Sequence, residues 1–227
     1  MTAAERALEM IEDGFLLGLG TGRAATEFVR LLGERIQQGL RVKGVSTSQA
    51  TAELAARLEI PLVTLEEAGR LDVTVDGADE VDPKLDLIKG YGGALVREKI
   101  VAACSERLII LIGPEKLVQQ LGERGRLPVE VVPFGMSLAG RCLGALGLTP
   151  ELRMHVGEPF VTDNRNYILD CGTRPISSPQ ELEREILSIP GVVGTGLFLG
   201  MTDTVLIQGA DGVEERRRDR TTQGKVG

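Results

Sequence analysis

The sequence predicts an α/β chain in two parts, a parallel sheet covered on both faces by helices and then a smaller α+β domain. Three observations carry this expectation. Up to about residue 128, short uninterrupted apolar runs alternate with stretches of helical period, as in strands buried on both faces and joined by helices. After "LPVEVVPFG" the order becomes strand, helix, strand, strand, helix, strand, the split βαβ arrangement of ferredoxin-like domains. The length of 227 residues with 42% hydrophobic content suffices for a real core in one large or two modest domains.

In chain order, "FLLGLG" reads as a strand feeding the helix "AATEFVRLLGERIQQ", and "RVKGV" as a strand feeding "SQATAELAARLE". "PLVTL" and "LDVTVD" follow as strands, then "ALVREKIVAAC" as helix, "RLIILIG" as strand and "EKLVQQLG" as helix. In the second part "VEVVP", "ELRMHV", "NYILDC" and "GVVGTGLF" read as strands, with "MSLAGRCLGALG" and "PQELEREILSI" as helices. "TDTVLIQGADGV" reads as one more strand, returning to the first sheet. The expected domains are therefore 1–128 plus 200–227, and 129–199. Residues 214–227 are charged and polar without apolar period, so a frayed tail is expected there.

Charge and composition exclude several function classes. There are 26 Lys plus Arg against 33 Asp plus Glu, a formal charge of −7, and no long basic block precedes the tail. That disfavours a nucleic-acid or anionic-membrane surface. Aromatics make up 3% of the chain, with no Trp, too few for a base-stacking platform. The first residues carry charges every few positions and hold no signal-peptide core, and no apolar run reaches the ~20 residues of a membrane helix. Cys104, Cys142 and Cys171 are odd in number and widely separated, against a disulfide framework or zinc site and for a reducing compartment. A cytoplasmic protein is expected.

In parallel sheets, ligands bind outside the carboxyl ends of the strands, and polar residues gather at several such ends here. Gly18, Gly20 and Gly22 in "GLGTGRAATEF" join a strand to a helix, where backbone N–H groups can approach a phosphate. A plain tight turn is the simpler alternative, and a dinucleotide site is the sharper one. Against the latter, Arg23 stands where the fingerprint wants glycine, and the second strand runs into "GVSTSQAT" without a carboxylate. "STSQAT" itself reads as a helix N-cap more readily than as a sugar or phosphate ligand.

Asp76 and Asp79 end "DVTV" with Gly77 between them, placing two carboxylates at the mouth of a buried strand where they can orient the hydroxyls of a polyol. A metal site would need further oxygen ligands, or nitrogen and sulfur, and the one His is His155 in the second domain. A site without metal or other cofactor is expected. Lys89, Gly90, Gly92 and Gly93 precede a helix in which Glu98 shares a face with Leu95, Val101 and Ala102. Burial there would raise its pKa, while Lys89, Arg97 and the helix N-terminus would lower it. An exposed, salt-bridged Glu is the plainer alternative. Lys116, at another strand end, reaches the same crevice or is a solvated first-turn lysine. His155 reads as structural, with no Ser–His–Asp arrangement around it, and the cysteines as core or half-buried residues.

Taken together, "GLGTG", "VDGADE", "LIKGYGGALVREK", "PVEVVPF" and "IPGVVGTGLF" resemble the type A ribose-5-phosphate isomerases, in one consistent order over nearly the whole chain. The resemblance implies a Rossmann-like domain with a ferredoxin-like second domain, a homodimer or higher homo-oligomer, and a sugar phosphate as the small-molecule partner. It implies interconversion of D-ribose 5-phosphate and D-ribulose 5-phosphate without metal or nucleotide. Glu98 falls at the proton-transferring base, which works through a cis-enediolate, and Lys89 with the amides of Gly90, Tyr91 and Gly92 at the oxyanion site. Asp76, Gly77, Ala78 and Asp79 form the "DGAD" motif, whose aspartates bind sugar hydroxyls and help open the furanose ring. Lys116 falls at a substrate-binding lysine, and Thr21, Gly22, Arg23 and Ala24 at the phosphate loop.

Three departures stand out. The family usually reads G-T-G-S-T, whereas Arg23 and Ala24 here exchange two hydroxyls for a guanidinium, itself a competent phosphate ligand. Tyr91 stands where Gly is common, which would alter access to the site. The family's N-terminal lysine aligns with about Met1, so the expectation is that Arg23 or the terminal amine takes its place, or that affinity for the substrate is weak. A sugar-phosphate sensor, or a related isomerase or deaminase of altered specificity, is the alternative function.

Overall fold

The computed structural model describes residues 1–219. Its main sheet has six strands in the spatial order Lys43–Ser46, Leu16–Leu19, Leu71–Gly77, Ser105–Ile112, Thr204–Gln208 and Val213–Arg217. The first five run parallel, and the last closes the edge antiparallel. Leu16–Leu19 lies between its two successors in the sequence, so the chain winds outward in both directions from it. The carboxyl ends of Leu16–Leu19 and Leu71–Gly77 thus part at a topological switch point, where such sheets open a crevice.

Period-two alternation builds a core on each face. Ile109 and Leu111 join Leu17, Leu19, Val73 and Val75 beneath Phe28, Val29 and Leu32 of helix Arg23–Gln37. Their neighbours Leu108, Ile110 and Ile112 point the other way, into a cluster with Phe198, Val205 and Ala102.

The second sheet has the order Val192–Thr195, Arg126–Val131, Tyr167–Gly172, Thr149–Leu152, with every neighbour antiparallel. Counted in sequence this is 4-1-3-2, as the ferredoxin-like pattern requires. Ala139 and Leu143 of helix Met136–Ala145 and Ile186 of helix Pro179–Leu187 pack on it. A small sheet of Leu197–Phe198, Leu87–Ile88 and Glu80–Val81 ties this region to the main sheet.

Four segments differ from the sequence expectation. "PLVTL" is not a strand; Leu62 makes one bridge to Gly44 before the short helix Leu65–Ala68. "EKLVQQLG" forms a single 3-10 turn, Pro114–Lys116, because competing partners take its backbone donors. Val118 N–H goes to Val81 O at 3.0 Å, and the buried Glu80 carboxylate accepts from Gly122 N and Arg124 N at 2.6 and 3.0 Å. "GVVGTGLF" breaks at Gly196 into two strands of different sheets; an added Cβ there would lie 2.3 Å from Lys89 O. The expected tail begins instead as the edge strand Val213–Arg217, charged on its side chains as an unpaired edge should be, and Arg218 donates to Asp86 Oδ1 at 2.8 Å. Residues 220–227 lie outside the described residues.

Close backbone approach makes Gly18 irreplaceable, since an added Cβ would sit 1.9 Å from Thr74 Oγ1 and 2.6 Å from Val101 Cγ1. Gly18→Ala is expected to lower stability by about 1–3 kcal/mol through overpacking. Gly140→Ala meets open space inside helix Met136–Ala145 and should raise it by about 0.5–1 kcal/mol. Urea midpoints of the two variants check both signs.

Candidate active site

The crevice at the switch point is a cavity of about 400 Å³. It is lined by Thr21, Gly22, Arg23 and Ala24 of the glycine loop, by Gly77, Ala78 and Asp79 after the central strand, and by Lys89, Gly90, Gly92, Glu98 and Lys116.

The glycine loop is held from beneath. Gly20 N–H donates to Val75 O at 3.0 Å, and an added Cβ on Gly20 would sit 2.3 Å from Asp76 Oδ1. Gly22 caps helix Arg23–Gln37 with φ 101° and no side-chain cap, and the first turn carries no acid. Its free N–H groups and the positive end of the helix dipole therefore face the cavity as an anion site. Thr21 Oγ1 lies 2.7 Å from Thr47 Oγ1 and donates to Ser48 Oγ at 2.9 Å. Ser48 also N-caps helix Gln49–Arg57, accepting from Thr51 N–H at 3.1 Å. The Ser/Thr segment is thus both the expected cap and a brace for the loop.

Beside this loop a buried ammonium sits between two buried carboxylates. Lys89 Nζ lies 3.1 Å from Asp76 Oδ2 and 3.3 Å from Glu98 Oε2, and donates to Gly77 O at 2.6 Å. The side chains of Lys89, Asp76 and Glu98 are only 4%, 1% and 5% exposed. Glu98 Oε2 is at ion-pair distance but outside hydrogen-bond geometry, and it has no hydrogen-bond partner among the described residues. Burial pushes the Glu98 carboxyl up to about 8; Lys89 opposes this and the Asp76 charge adds to it. Asp76 is likewise raised by burial against the pull of Lys89. Burial alone would lower Lys89, but Asp76 and Glu98 hold it above its usual value. The ammonium is thus favoured in its charged form, while Glu98 keeps its proton well above the ordinary carboxylate range.

Asp76 departs from its expected role. Its Oδ1 accepts from Thr21 N–H and Gly77 N–H at 3.1 and 2.7 Å, and its Oδ2 faces Lys89. It orients the glycine loop and the lysine from below and offers no free oxygen to the cavity. Asp79 does face the cavity; its Oδ2 accepts from Tyr91 N–H at 2.9 Å, and its Oδ1 lies 4.0 Å from Lys116 Nζ. Tyr91 does not narrow access, because its ring turns to the Arg126 guanidinium, 4.6 Å from the ring centre, and its hydroxyl donates to Arg126 O. Leu111, Ile112, Gly113 and Glu115 also line the cavity. They follow from the strand-end rule applied to "RLIILIG", which sequence reasoning used only for Lys116. The Met1 amine lies 3.9 Å from Glu5, and Met1 is not among the residues lining the cavity. His155 is exposed on the Met154–His155 hairpin strand. The cysteines are half-buried or buried, as expected. Where a cation would sit between Asp76 and Glu98, the Lys89 ammonium already stands.

Comparison with known proteins bears on this geometry. The family model of ribose 5-phosphate isomerase A (phosphoriboisomerase A) matches residues 43–212. The ribose-5-phosphate isomerase A of Gloeobacter violaceus is 54% identical, over 94% of this chain and 93% of its own. That of Roseiflexus castenholzii is 53% identical, over 94% and 92%. Among solved structures, ribose 5-phosphate isomerase A from Methanocaldococcus jannaschii superposes with a TM-score of 0.91 at 41% identity, covering 95% of this chain and 96% of its own. A D-ribose-5-phosphate isomerase in complex with phospho-erythronic acid superposes with a TM-score of 0.92 at 40% identity, over 95% and 96%.

A carboxyl raised from 4.5 to about 8 should be visible directly. A ¹³C NMR titration is expected to show the Glu98 carboxyl changing near pH 8, and still higher in Lys89→Met, which removes the cation that favours ionisation. Because the folded chain holds this proton longer than the unfolded one, Glu98's contribution to stability falls as pH rises from 4.5 to about 8. Urea midpoints across that window, compared with those of Glu98→Gln, measure it.

Proposed function

The chain belongs to the ribose 5-phosphate isomerase A family and interconverts D-ribose 5-phosphate and D-ribulose 5-phosphate; we propose that Glu98 moves the proton and Lys89 steadies the charge that develops. The observation that carries this assignment is the buried Asp76–Lys89–Glu98 cluster beside a cavity that is also lined by the uncapped N-terminus of helix Arg23–Gln37, an anion site.

The phosphate binds at Thr21–Ala24, where the first-turn amides of helix Arg23–Gln37 and the Arg23 guanidinium supply donors and positive charge. Asp79 accepts a sugar hydroxyl and assists ring opening, with Lys116 beside it. The extended aldose then places C2 against Glu98. The carboxylate takes the C2 proton, the C–H electron pair forms the C1–C2 double bond, and the aldehyde π pair moves onto O1. Lys89 and the N–H groups of Gly90 and Gly92 stabilise that cis-enediolate, the expected Tyr91 N–H being taken by Asp79, since preorganised donors aimed at developing charge contribute most to rate. The O2 proton passes to O1, leaving the charge on O2; the O2 electron pair then forms the C2 ketone while the C1–C2 π pair takes the proton back from Glu98 at C1. Oxidation at C2 balances reduction at C1, so the residues present suffice and no redox partner enters.

Sugar-phosphate isomerisation of this kind belongs to the non-oxidative pentose phosphate route, in the cytoplasm. A homodimer or larger homo-oligomer is part of the same reading. Its support is the exposure of Val132, Phe134, Leu138 and Val193 on adjoining segments that meet where Gly135 packs on Gly191.

Glu98→Gln is expected to lower kcat by about 10²–10⁴-fold, the usual worth of a positioned base, with substrate affinity little changed. Exchange of the C2 proton in deuterated water, followed by NMR, reports the step itself; exchange at the unaltered rate in Glu98→Gln would remove Glu98 from this role. The base must be ionised to act, so kcat/KM should climb with pH up to about 8 and then level off. A rate profile for the free enzyme with no ascending limb there would contradict the assignment.

A further inference from the structure

The loop that follows Lys89 has little conformational preference of its own. Gly90 and Gly93 take φ of 106° and 88°, Gly92 lies between them, and one turn bond, Gly93 N–H to Gly90 O at 3.0 Å, closes it. Glycine-rich backbone of this kind samples many conformations unless something outside holds it. What holds it is a side chain of the second sheet region. Arg153 is 9% exposed, and its Nη1 donates to both Gly90 O and Tyr91 O, at 3.0 and 3.1 Å. Its other two nitrogens are fixed from behind by Asp170, with Nε to Oδ2 at 2.8 Å and Nη2 to Oδ1 at 2.5 Å. Asp170 is itself anchored by Arg126 Nη2 at 2.7 Å.

In a trans peptide the C=O and N–H point in opposite directions. A clamp on Gly90 O therefore aims the Tyr91 N–H away from Arg153, and a clamp on Tyr91 O does the same for the Gly92 N–H. The first consequence is visible, since Tyr91 N–H meets Asp79 Oδ2 at 2.9 Å. The second N–H has no protein partner among the described residues, and Gly92 lines the cavity beside Lys89 and Glu98.

We infer that Arg153 is a positioning residue, whose guanidinium sets the Gly92 N–H as an oxyanion donor next to Lys89. It rests on the functional reading above. A cation bonded to the carbonyl also polarises the peptide and strengthens the N–H on its far side. With one carboxylate between two guanidiniums, the Arg126–Asp170–Arg153 group carries a net positive charge behind the place where negative charge develops. Sequence reasoning passed over Arg153 because nothing in "ELRMHV" distinguishes a buried clamp from a surface arginine.

The test compares kcat, KM for D-ribose 5-phosphate and inhibition by phospho-erythronic acid, whose carboxylate presents oxyanion-like oxygens, in Arg153→Met and Arg153→Lys. The expected result is a kcat lowered about 10-fold to 10²-fold, KM within about 3-fold, and inhibitor binding weakened in step with kcat. Lysine should recover only part of the loss, because it keeps the charge but cannot hold Asp170 and both carbonyls at once. Urea midpoints verify that each variant is folded. Should Arg153→Met fail to fold, Asp170→Asn frees the guanidinium from its anchor and should still lower kcat with KM unchanged. Folded Arg153→Met, or failing that Asp170→Asn, turning over within about 2-fold of the unaltered chain, or losing KM alone, overturns the inference. Absence of C2-proton exchange in the unaltered chain would instead sink the isomerase reading itself.

Discussion

The Lys89 ammonium held between Asp76 and Glu98 is the interaction on which the remaining features of the site depend. Burying one charge without partners is prohibitive, and removing one member of a buried pair typically costs about 3–5 kcal/mol. The chain therefore has to deliver all three side chains to one point, from the end of a central strand, from a loop and from a helix. Two carboxylates and one ammonium leave an excess negative charge when all are ionised. Glu98, with its unbonded oxygen, is the member best placed to hold a proton. The same arrangement that strains the fold at high pH makes a base of the right strength.

The surrounding backbone is shaped to allow this. Gly20 lies so close to Asp76 that no side chain fits between them, and Asp76 in turn accepts the Thr21 N–H. One buried carboxylate thus couples the anion-binding loop to the lysine. Gly77 O receives the third Lys89 contact, which ties the same strand end to the site from its other side. Movement of any one of these elements would disturb the other two.

The second sheet region is more than a support. Besides Arg153, it supplies the 160–166 segment, from which Asp163 accepts the Gln49 N–H at 2.7 Å while Asn164 accepts from Arg97 Nε at 2.8 Å. Gln49 begins the helix capped by Ser48, and Arg97 sits on the helix that carries Glu98. The buried Glu130 gathers that segment, accepting from Thr162, Asn164 and Asn166 at one oxygen. The helix that begins at Gln49 and the helix that carries Glu98 are therefore tied together by polar contacts from outside the main sheet.

Much of this was legible in the residues alone. Apolar runs alternating with helical period determined the parallel sheet, and the strand–helix order after residue 128 determined the ferredoxin-like topology, because burial on one or both faces leaves a direct periodic trace. The "GLGTG" turn, the aspartates after "DVTV" and Glu98 on an apolar helix face were visible because each sits at a strand end or breaks a pattern. Only the tertiary structure decided which carboxylate reaches the cavity. Asp76 and Asp79 look equivalent in "DGAD", yet one is consumed by backbone N–H groups and a lysine while the other faces the cavity. It also decided that "EKLVQQLG" would forgo a helix, since Val81 and Glu80, about 40 residues earlier, capture its donors, and that Val213–Arg217 would pair as an edge strand. Local sequence encodes periodicity and propensity, whereas the choice among competing hydrogen-bond partners is made between segments far apart in the chain.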